Sequence, residues 1–315
     1  MRRATATLAL ATAAGLALAA PASAQQLRLM TGPQGGAWYP LGGALQAMAS
    51  DAGLASIQVL PGGGVANVQG VQNGDADLAF ANSISTVDAI EGREPFTGAA
   101  DNVCNVATLY PQYFQIVVRA DSGIEGVEDF AGRRLNTQPV GNTAEQVTRA
   151  VLEAAGLSYD DLAAVDYVSY SDGVALMQDN NSEIFTLGTT IPASSIMDLA
   201  NSADIRLVEL DDAFIERMRE EINPGYTAIT IPAGTYPGQD EDVTAVGYAT
   251  HVVARCDLDA AVVEGLLAQM WENRQDLAAI AAVMEGIALE DMAQDVGVPM
   301  HEGATAFFEA NGVQM

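Results

Sequence analysis

The chain has 315 residues, nearly half of them hydrophobic, and carries a formal charge of -28. That charge argues against nucleic acid and against an anionic membrane surface as partners, because the phosphates of both would repel the protein. All 13 basic residues are arginine, so a phosphate-loop lysine, a pyridoxal Schiff base and a lysine general base are excluded.

Residues 1–24 have the pattern of a secretory signal peptide. Arg2 and Arg3 precede an apolar run over 8–20, and the residues up to Ala24 fit a small-residue cleavage site. No later run reaches the roughly 20 apolar residues that a membrane span needs. We therefore expect a periplasmic protein that starts near Gln25, with no stable membrane insertion.

The opening of the mature chain reads as a strand, a glycine-rich turn and a helix. Leu27–Met30 is mostly apolar, the turn lies in Thr31–Gly43, and Leu41, Leu45 and Met48 then recur at helical spacing. Glycine lets the backbone approach a ligand closely, and a helix N-terminus attracts an anion. A plain turn beside a buried tryptophan is the alternative. The residues predicted to bind a ligand here are Gly36, Ala37, Trp38 and Tyr39.

The same design recurs along the chain. Strands are predicted at 56–60, 78–80, 135–138 and 184–187, and each ends in a glycine or polar turn. Ligands of open α/β sheets bind at such carboxyl ends of strands. Core packing remains the default for each aromatic residue. The further candidate ligand-binding residues are Gly64, Val65, Asn67, Asn82, Ser83, Tyr110, Val140, Gly141, Asn142, Thr143, Gly188 and Thr189.

The remaining pattern predicts an α/β fold with mostly parallel sheets, because strands alternate with helices. Two β-rich runs, 104–110 and 113–119, flank Pro111. Thr143 and Gln146 have the spacing of a capping box. The other predicted elements are a helix within 121–131, a strand over 165–170, helices over 172–179, 194–200 and 212–221, a strand over 206–209, a loop over 229–242, a β-branched run over 246–255, and helices from 257 to 311.

Catalytic and metal chemistry have little support. His251 and His301 are the two histidines, and neither belongs to a zinc-protease or serine-hydrolase motif. We expect no cofactor and no metal site. Cys104 and Cys256 either form a disulfide or remain two buried thiols, and the sequence leaves both open.

Several segments resemble the solute receptors of TRAP transporters, specifically their TAXI branch (TRAP-associated extracytoplasmic proteins). The resemblance runs through nearly all of the mature chain, and the 231–243 segment is its most specific part. The matching segments are GGAWYPLGGAL (35–45), GGGVANV (62–68), NGDADLAFANS (73–83), ATLYPQYFQIVVRADSGI (107–124), the region around 132–157, IPAGTYPGQDEDV (231–243) and VPMHEGATAFF (298–308).

The resemblance implies a two-lobed type II periplasmic binding protein fold with a ligand cleft between the lobes. Lobe one would comprise 25–115 and 230–315, and lobe two 116–229. The family binds small organic anions, such as amino acids, 2-oxoacids and dicarboxylates, and delivers them to TRAP membrane permease subunits. The chain departs from the family pattern at Asn82, at Asn142 and around Thr189, all on the expected cleft, so the ligand stays open.

The favoured hypothesis is a binding protein without catalysis, whose ligand is held by backbone N–H groups. Arg119 and Arg149 are alternative charge partners for that ligand. A sensor or docking protein that uses the same cleft, and an exported enzyme with His251, His301 or an acid as its base, are the other two functions considered.

Overall fold

A computed structural model describes residues 25–32 and 37–314. The predicted signal peptide and Gly36 lie outside the described residues, so both stay predictions.

Ten strands and eleven α-helices make up this part of the chain. The strands are β1 Gln25–Met30, β2 Ala55–Leu60, β3 Leu78–Asn82, β4 Cys104–Arg119, β5 Arg134–Thr137, β6 Ala164–Tyr167, β7 Ile184–Thr189, β8 Ile205–Leu207, β9 Thr227–Ile231 and β10 Val243–Ala254. The helices are α1 Trp38–Asp51, α2 Gly64–Gln72, α3 Ser83–Glu91, α4 Thr143–Ala154, α5 Tyr170–Gln178, α6 Ser194–Ala200, α7 Asp212–Glu221, α8 Ala260–Glu272, α9 Arg274–Ile280, α10 Leu289–Met292 and α11 Glu302–Ala310.

The ten strands form one curled sheet, in which eight follow the order β2-β1-β3-β10-β4-β7-β5-β6, while β8 pairs with β4 and β9 with β10. The first lobe is built on β1–β3 and the second on β5–β7, and within each lobe the strands pair in parallel. Two long strands, β4 and β10, run antiparallel through both lobes. The sheet is therefore mixed rather than mostly parallel, because the crossing strands join two parallel halves.

Each lobe has its own hydrophobic core. Leu27, Phe80 and Phe308 belong to the largest buried cluster, which lies in the first lobe. A second cluster, with Phe114 and Val147, fills the second lobe. The two clusters are separate, but Ile84 of α3 packs in the second one, so α3 also connects the lobes.

The packing places the C-terminal boundary of the second lobe later in the sequence than predicted. Ile231, Tyr236 and Ala245, which the prediction assigns to lobe one, pack in the cluster of Phe185 and Leu187. They do so because β9 pairs with the first half of β10. The lobe division stays a proposal, with its second boundary moved to the middle of β10.

Pro111 does not interrupt its strand, contrary to prediction. β4 runs unbroken through it, pairing with β10 on one side, while β7 pairs only from Tyr113 onward. Proline lacks an N–H group and is tolerated where one side of a strand has no partner. Pro111 therefore lies where β4 passes from one lobe to the other.

Three short elements also differ from the predictions. The predicted helix within 121–131 is one 3-10 turn, Val127–Phe130, because Gly123 takes a positive φ of 70° before it. Tyr170 begins a helix instead of ending a strand, since Ser169 caps that helix through Asp172 N–H. The predicted loop over 229–242 contains the end of β9.

Cys104 and Cys256 form a disulfide, which settles a question that the sequence leaves open. Cys104 is the first residue of β4 and Cys256 lies just beyond the end of β10. The bond therefore joins the two crossing strands at their first-lobe ends.

Candidate functional site

A cavity of about 140 Å³ lies between the two lobes. Residues from both lobes and from both crossing strands line it. They are Gly32, Ala37, Trp38, Gly63, Gly64, Asn82, Tyr110, Gln112, Gln138, Asn142, Thr143, Ala144, Tyr170, Gly188, Thr189, Thr190 and Tyr248. We call this cavity the cleft.

Four helices begin at the cleft without a side-chain cap from any residue that the structure describes. The N-cap residues of α1, α2, α3 and α4 are Ala37, Gly63, Asn82 and Asn142, and all four line the cleft. Each of the other described helices of nine or more residues has a side-chain cap, from Ser169, Asp211, Asp259 and His301 respectively. Within 25–32 and 37–314, no side chain therefore caps the first N–H groups of α1–α4, which makes them available to a ligand, and each helix end carries about half a positive charge.

The starts of α2 and α4 face each other across the cleft. A Cβ on Gly63 would lie 2.9 Å from Asn142 Oδ1, and one on Gly64 would overlap Thr143 Oγ1. A larger residue at either position would have to displace the side chain of Asn142 or Thr143, so glycine suits this close approach of the two lobes. Two positive helix ends thereby converge, which suits a small anion held between the lobes.

Buried Asn67 holds the glycine turn before α2 in place. Its Nδ2 donates to the carbonyl groups of Thr31 and Phe80, both at 2.8 Å, and its Oδ1 accepts from Gly63 N–H at 2.9 Å. Asn67 therefore positions the turn and does not itself line the cleft.

Three buried side chains present unpaired polar atoms. Asn82 Oδ1, Tyr110 Oη and Gln112 Oε1 have no hydrogen-bond partner among the described residues. Their residues are 6%, 3% and 7% exposed, and all three line the cleft. Burial raises the pKa of Tyr110 to about 12, so its hydroxyl keeps its proton. Unpaired buried polar groups are unfavourable, and a ligand in the cleft would satisfy them.

Aromatic side chains form the remaining walls. Trp38 stacks on Phe80, with ring centroids 6.0 Å apart. Tyr170 donates its hydroxyl proton to the Gly188 carbonyl at 2.9 Å, and a Cβ on Gly188 would overlap the hydroxyl of Tyr248. These contacts give the cleft rigid sides that match a small ligand.

The lobes are also joined by a buried polar network from α3 to α4. Thr143 Oγ1 accepts from Asn82 Nδ2 at 2.8 Å, and Ser85 Oγ donates to Gln146 Oε1 at 2.8 Å. Gln146 Nε2 in turn donates to Asp88. The predicted capping box is therefore wrong, because Thr143 is already part of the helix. Thr143 and Gln146, the two residues of the predicted box, instead form hydrogen bonds to the other lobe.

Asp88 is the charged centre of that network. Its Oδ1 accepts from Arg93 Nε at 2.7 Å and from Asn223 Nδ2 at 2.8 Å. Burial raises the pKa of Asp88, and Arg93, Asn223 and Gln146 partly offset that rise.

No charged side chain lines the cleft among the described residues. Arg119, an alternative charge partner in the sequence analysis, pairs instead with Asp121 at 3.1 Å. Arg149, the other alternative, pairs with Glu145 at 3.4 Å. Neither arginine reaches the cleft, so an anion there would depend on backbone and neutral side-chain groups.

Several predicted site residues lie away from the cleft. Tyr39 and Gly141 do not line it, Val65 is buried in α2, and Val140 is 72% exposed. Ser83 lines a different cavity and accepts from Ala249 N–H. The predicted geometry is corrected at these positions and at Asn67, because neighbours in sequence on a turn or helix start point in different directions. The nine other described candidates do line the cleft, and their contact with a ligand stays a prediction.

Sequence reasoning missed part of the lining. Gln138 and Thr190 lie at the ends of predicted strands, so the rule that found Asn82 would also have found them. Gln112 and Tyr248 lie within the crossing strands, where only the pairing of β4 with β10 brings them to the cleft.

A larger cavity of about 650 Å³ shares Tyr110 and Tyr248 with the cleft. Its outer wall is the segment 283–297, which contributes Glu285, Asp291 and Asp295. The N-cap residues of α1–α4 that line the cleft are not among its lining residues, so it lacks the anion-binding geometry of the cleft.

His251 is a buried structural residue in this fold. Nε2 lies 2.8 Å from Thr86 Oγ1 and Nδ1 lies 3.1 Å from Asn105 Oδ1. Burial lowers the pKa of His251 to about 3. Within 25–32 and 37–314, no group of three or more His, Cys, Asp or Glu residues is arranged to hold a metal ion. None of the helices in these ranges is both long enough and apolar enough to span a bilayer.

A model of the NMT1-like family matches residues 29–312. The chain belongs to the NMT1-like family. This is a family of periplasmic solute-binding proteins, which bind substrates rather than transform them.

Solved structures confirm the predicted fold of this NMT1-like protein. A Xanthomonas citri protein bound to ATP has a TM-score of 0.54 at 13% identity, over 91% of this chain and 95% of that one. The alkanesulfonate-binding protein of Xanthomonas axonopodis pv. citri bound to MOPS has a TM-score of 0.50 at 17% identity, over 91% and 85%. A putative L-cystine ABC transporter protein of Listeria monocytogenes has a TM-score of 0.50 at 12% identity, over 83% and 94%. All three are similar in fold, and the neighbours are two-lobed binding proteins.

Proposed function

We propose that this NMT1-like protein is an exported receptor that captures a small organic anion in the cleft and delivers it to a TRAP-type membrane permease. The observation that carries the proposal is the set of four uncapped helix N-termini at one cavity between two lobes. Unpaired N–H groups and positive dipole ends bind an anion without help from a charged side chain.

Ligand release and capture would depend on the movement of the lobes. The cleft is lined from both sides, so a ligand bound there bridges the lobes and favours their closure about β4 and β10. The closed form is then the one that a membrane partner recognises. The resemblance to TAXI receptors supports a TRAP permease as that partner, while the solved neighbours include ABC-associated proteins.

The anion-binding part is tested by mass spectrometry of small molecules that co-purify with the natively exported protein. A thermal-shift screen of organic acids and of matched neutral and cationic compounds completes the test. We expect an acid to co-purify and to raise the melting temperature. Stabilisation by cations or sugars alone would contradict the proposal, and turnover of the stabilising ligand would point to an enzyme.

The partner is tested by uptake of that acid into cells that produce the protein. TRAP transport depends on an ion gradient, so an ionophore that collapses the gradient should abolish uptake. Uptake that persists after gradient collapse and stops on ATP depletion would instead assign the protein to an ABC transporter.

A further inference from the structure

Any inference about which anion binds rests on the proposed function as a receptor. The cleft is small, and its size limits the anions that it can bind. Its volume is about 140 Å³. Pockets for drug-sized ligands measure about 300–1,000 Å³, so the cleft suits a ligand well below that size.

The charges around the cleft favour a net anion over a zwitterion. Four positive helix ends meet there, and none of the described lining residues is an acid. An ammonium group would be buried beside those positive ends without a carboxylate partner, which is unfavourable. An amino acid therefore fits less well than an acid without an amine.

Two unpaired acceptors call for a hydrogen-bond donor on the ligand. Asn82 Nδ2 donates a hydrogen bond to Thr143 Oγ1, and Gln112 Nε2 donates one to Thr250 Oγ1, both at 2.8 Å. The carbonyl oxygens Asn82 Oδ1 and Gln112 Oε1 are left without a donor from the described residues. A hydroxyl group supplies one, whereas a ketone does not.

The position of Asn82 indicates where on the ligand the hydroxyl group would lie. The amide of Asn82 bonds Thr143, the first residue of α4, and its own residue is the N-cap of α3. The Asn82 side chain also lies near the start of α2, where a Cβ on Gly64 would be 3.5 Å from Asn82 Nδ2. For a carboxylate bound at the α2 and α4 N-termini, we therefore expect Asn82 Oδ1 to be within reach of a hydroxyl group on the neighbouring carbon.

We propose that the cleft selects a small 2-hydroxy monocarboxylate over the 2-oxo and 2-amino acids of the same size. A site built to pair a hydroxyl rejects the 2-oxo analogue, because its buried acceptors stay unpaired. It disfavours the 2-amino analogue because the ammonium charge would be buried beside positive helix ends.

Three acids with the same carbon skeleton test this selection: L-lactate, pyruvate and L-alanine. Each is titrated into the purified mature protein by calorimetry, and succinate serves as a dicarboxylate. We expect lactate to bind about tenfold to a hundredfold more tightly than pyruvate, the range that one unpaired acceptor gives. We also expect it to bind more tightly than alanine, whose ammonium group would lie beside the positive helix ends. We expect succinate to bind more weakly than lactate, because it has no hydroxyl group to donate to Asn82 Oδ1 or Gln112 Oε1.

The outcomes separate the hydroxy-acid selection from the proposed function. Pyruvate, alanine or succinate binding as tightly as lactate would overturn the selection and leave an organic-anion receptor. If none of these acids binds and none stabilises the protein, the selection falls, and the thermal-shift screen of organic acids then decides the proposed function.

Variants on β4 test the role of Gln112 directly. Gln112→Leu removes the acceptor, so the lactate-to-pyruvate affinity ratio should fall about tenfold. Gln115→Leu is the matched control, because Gln115 is buried on the same strand but does not line the cleft. It should keep the ratio of the native protein. An unchanged ratio in Gln112→Leu would contradict the assignment.

An isosteric variant covers the case in which Gln112→Leu fails to fold. Gln112→Glu keeps the shape of the side chain and introduces a carboxylate into the cleft, which an ammonium group can pair with. The lactate-to-alanine affinity ratio should therefore fall at least about tenfold. A ratio that stays at the native value would show that Gln112 does not contact the ligand.

Discussion

Gly64 shows how one residue can control the spacing of two lobes. It starts α2 in the first lobe and lies against Thr143 of the second lobe, where an added Cβ would overlap the Thr143 hydroxyl. Its backbone is helical and needs no positive φ, so the requirement for glycine comes from the neighbour across the cleft.

We expect Gly64→Ala to hold the lobes apart. The methyl group meets Thr143, so the closed state becomes less favourable and ligand affinity falls at least about tenfold, a loss of about 1.4 kcal/mol. Small-angle X-ray scattering with and without ligand measures closure, and calorimetry measures affinity.

Gly43→Ala is the control for that variant. Gly43 lies in α1, and nothing lies within 4 Å of a Cβ added there. It should close and bind like the native protein. If Gly64→Ala closes and binds normally, the α2 and α4 starts can move apart without loss of ligand binding, and the role given to Gly64 is wrong.

His251 makes the protein sensitive to acid. Burial holds its folded-state pKa at about 3, whereas an unfolded chain has a histidine pKa of about 6.5. The unfolded state therefore binds more protons below pH 6.5, and stability falls as the pH drops from there toward 3. The loss is at most about 1.4 kcal/mol per pH unit.

His251→Gln should lack this part of the pH dependence. Glutamine stays neutral, so the variant has lower stability at pH 7 but a shallower loss between pH 6.5 and 4.5. Urea unfolding across that range measures both slopes. Parallel curves for the native protein and the variant would contradict the role given to His251.

At the scale of elements, α3 and α4 connect the lobes. α3 continues directly from β3 of the first lobe, while its Ile84 packs in the core of the second lobe. Ser85, Asp88 and Gln146 add buried hydrogen bonds between the two helices. Such a network is strong only when every member has its partner.

We expect Gln146→Leu to destabilise the protein by about 1–3 kcal/mol, because Ser85 and Asp88 lose a buried partner. Urea unfolding measures the change. Gln178→Leu is the matched control: Gln178 is an exposed helical glutamine, and its removal should change stability by less than about 0.5 kcal/mol. Equal effects of the two substitutions would mean that the network contributes nothing.

At the scale of the whole molecule, one disulfide encloses the second lobe. The bond between Cys104 and Cys256 spans 152 residues and joins the strands that leave and re-enter the first lobe. The second lobe is thus a large loop whose two ends are tied together.

Reduction should lower the free energy of unfolding by up to about 5 kcal/mol, since a long closed loop restricts the unfolded chain. Urea unfolding with and without a thiol reductant measures this loss. In a Cys104→Ser/Cys256→Ser double variant the reductant should have no effect. A native protein that ignores the reductant would show that the bond does not contribute.

Local patterns in the sequence were enough to predict the α/β class and the glycine turns that precede α2 and α4, while the family resemblance implied the two lobes. The class and the turns depend on hydrophobic period and turn chemistry over a few neighbouring residues. Prediction failed where a distant partner decides: Pro111 continues a strand because β10 supports it, and Thr143 bonds Asn82 instead of capping its own helix.

The sequence by itself determined that the protein has no lysine, that its strands end in glycine or polar turns, and that a strongly negative chain must bind an anion without its net charge. Only the tertiary structure decided which turns meet at the cleft, that Arg119 and Arg149 pair elsewhere, and that Cys104 bonds Cys256. The physical reason is distance along the chain. Asn82 and Thr143 are 61 positions apart, and no local pattern records a contact that the curl of the sheet creates.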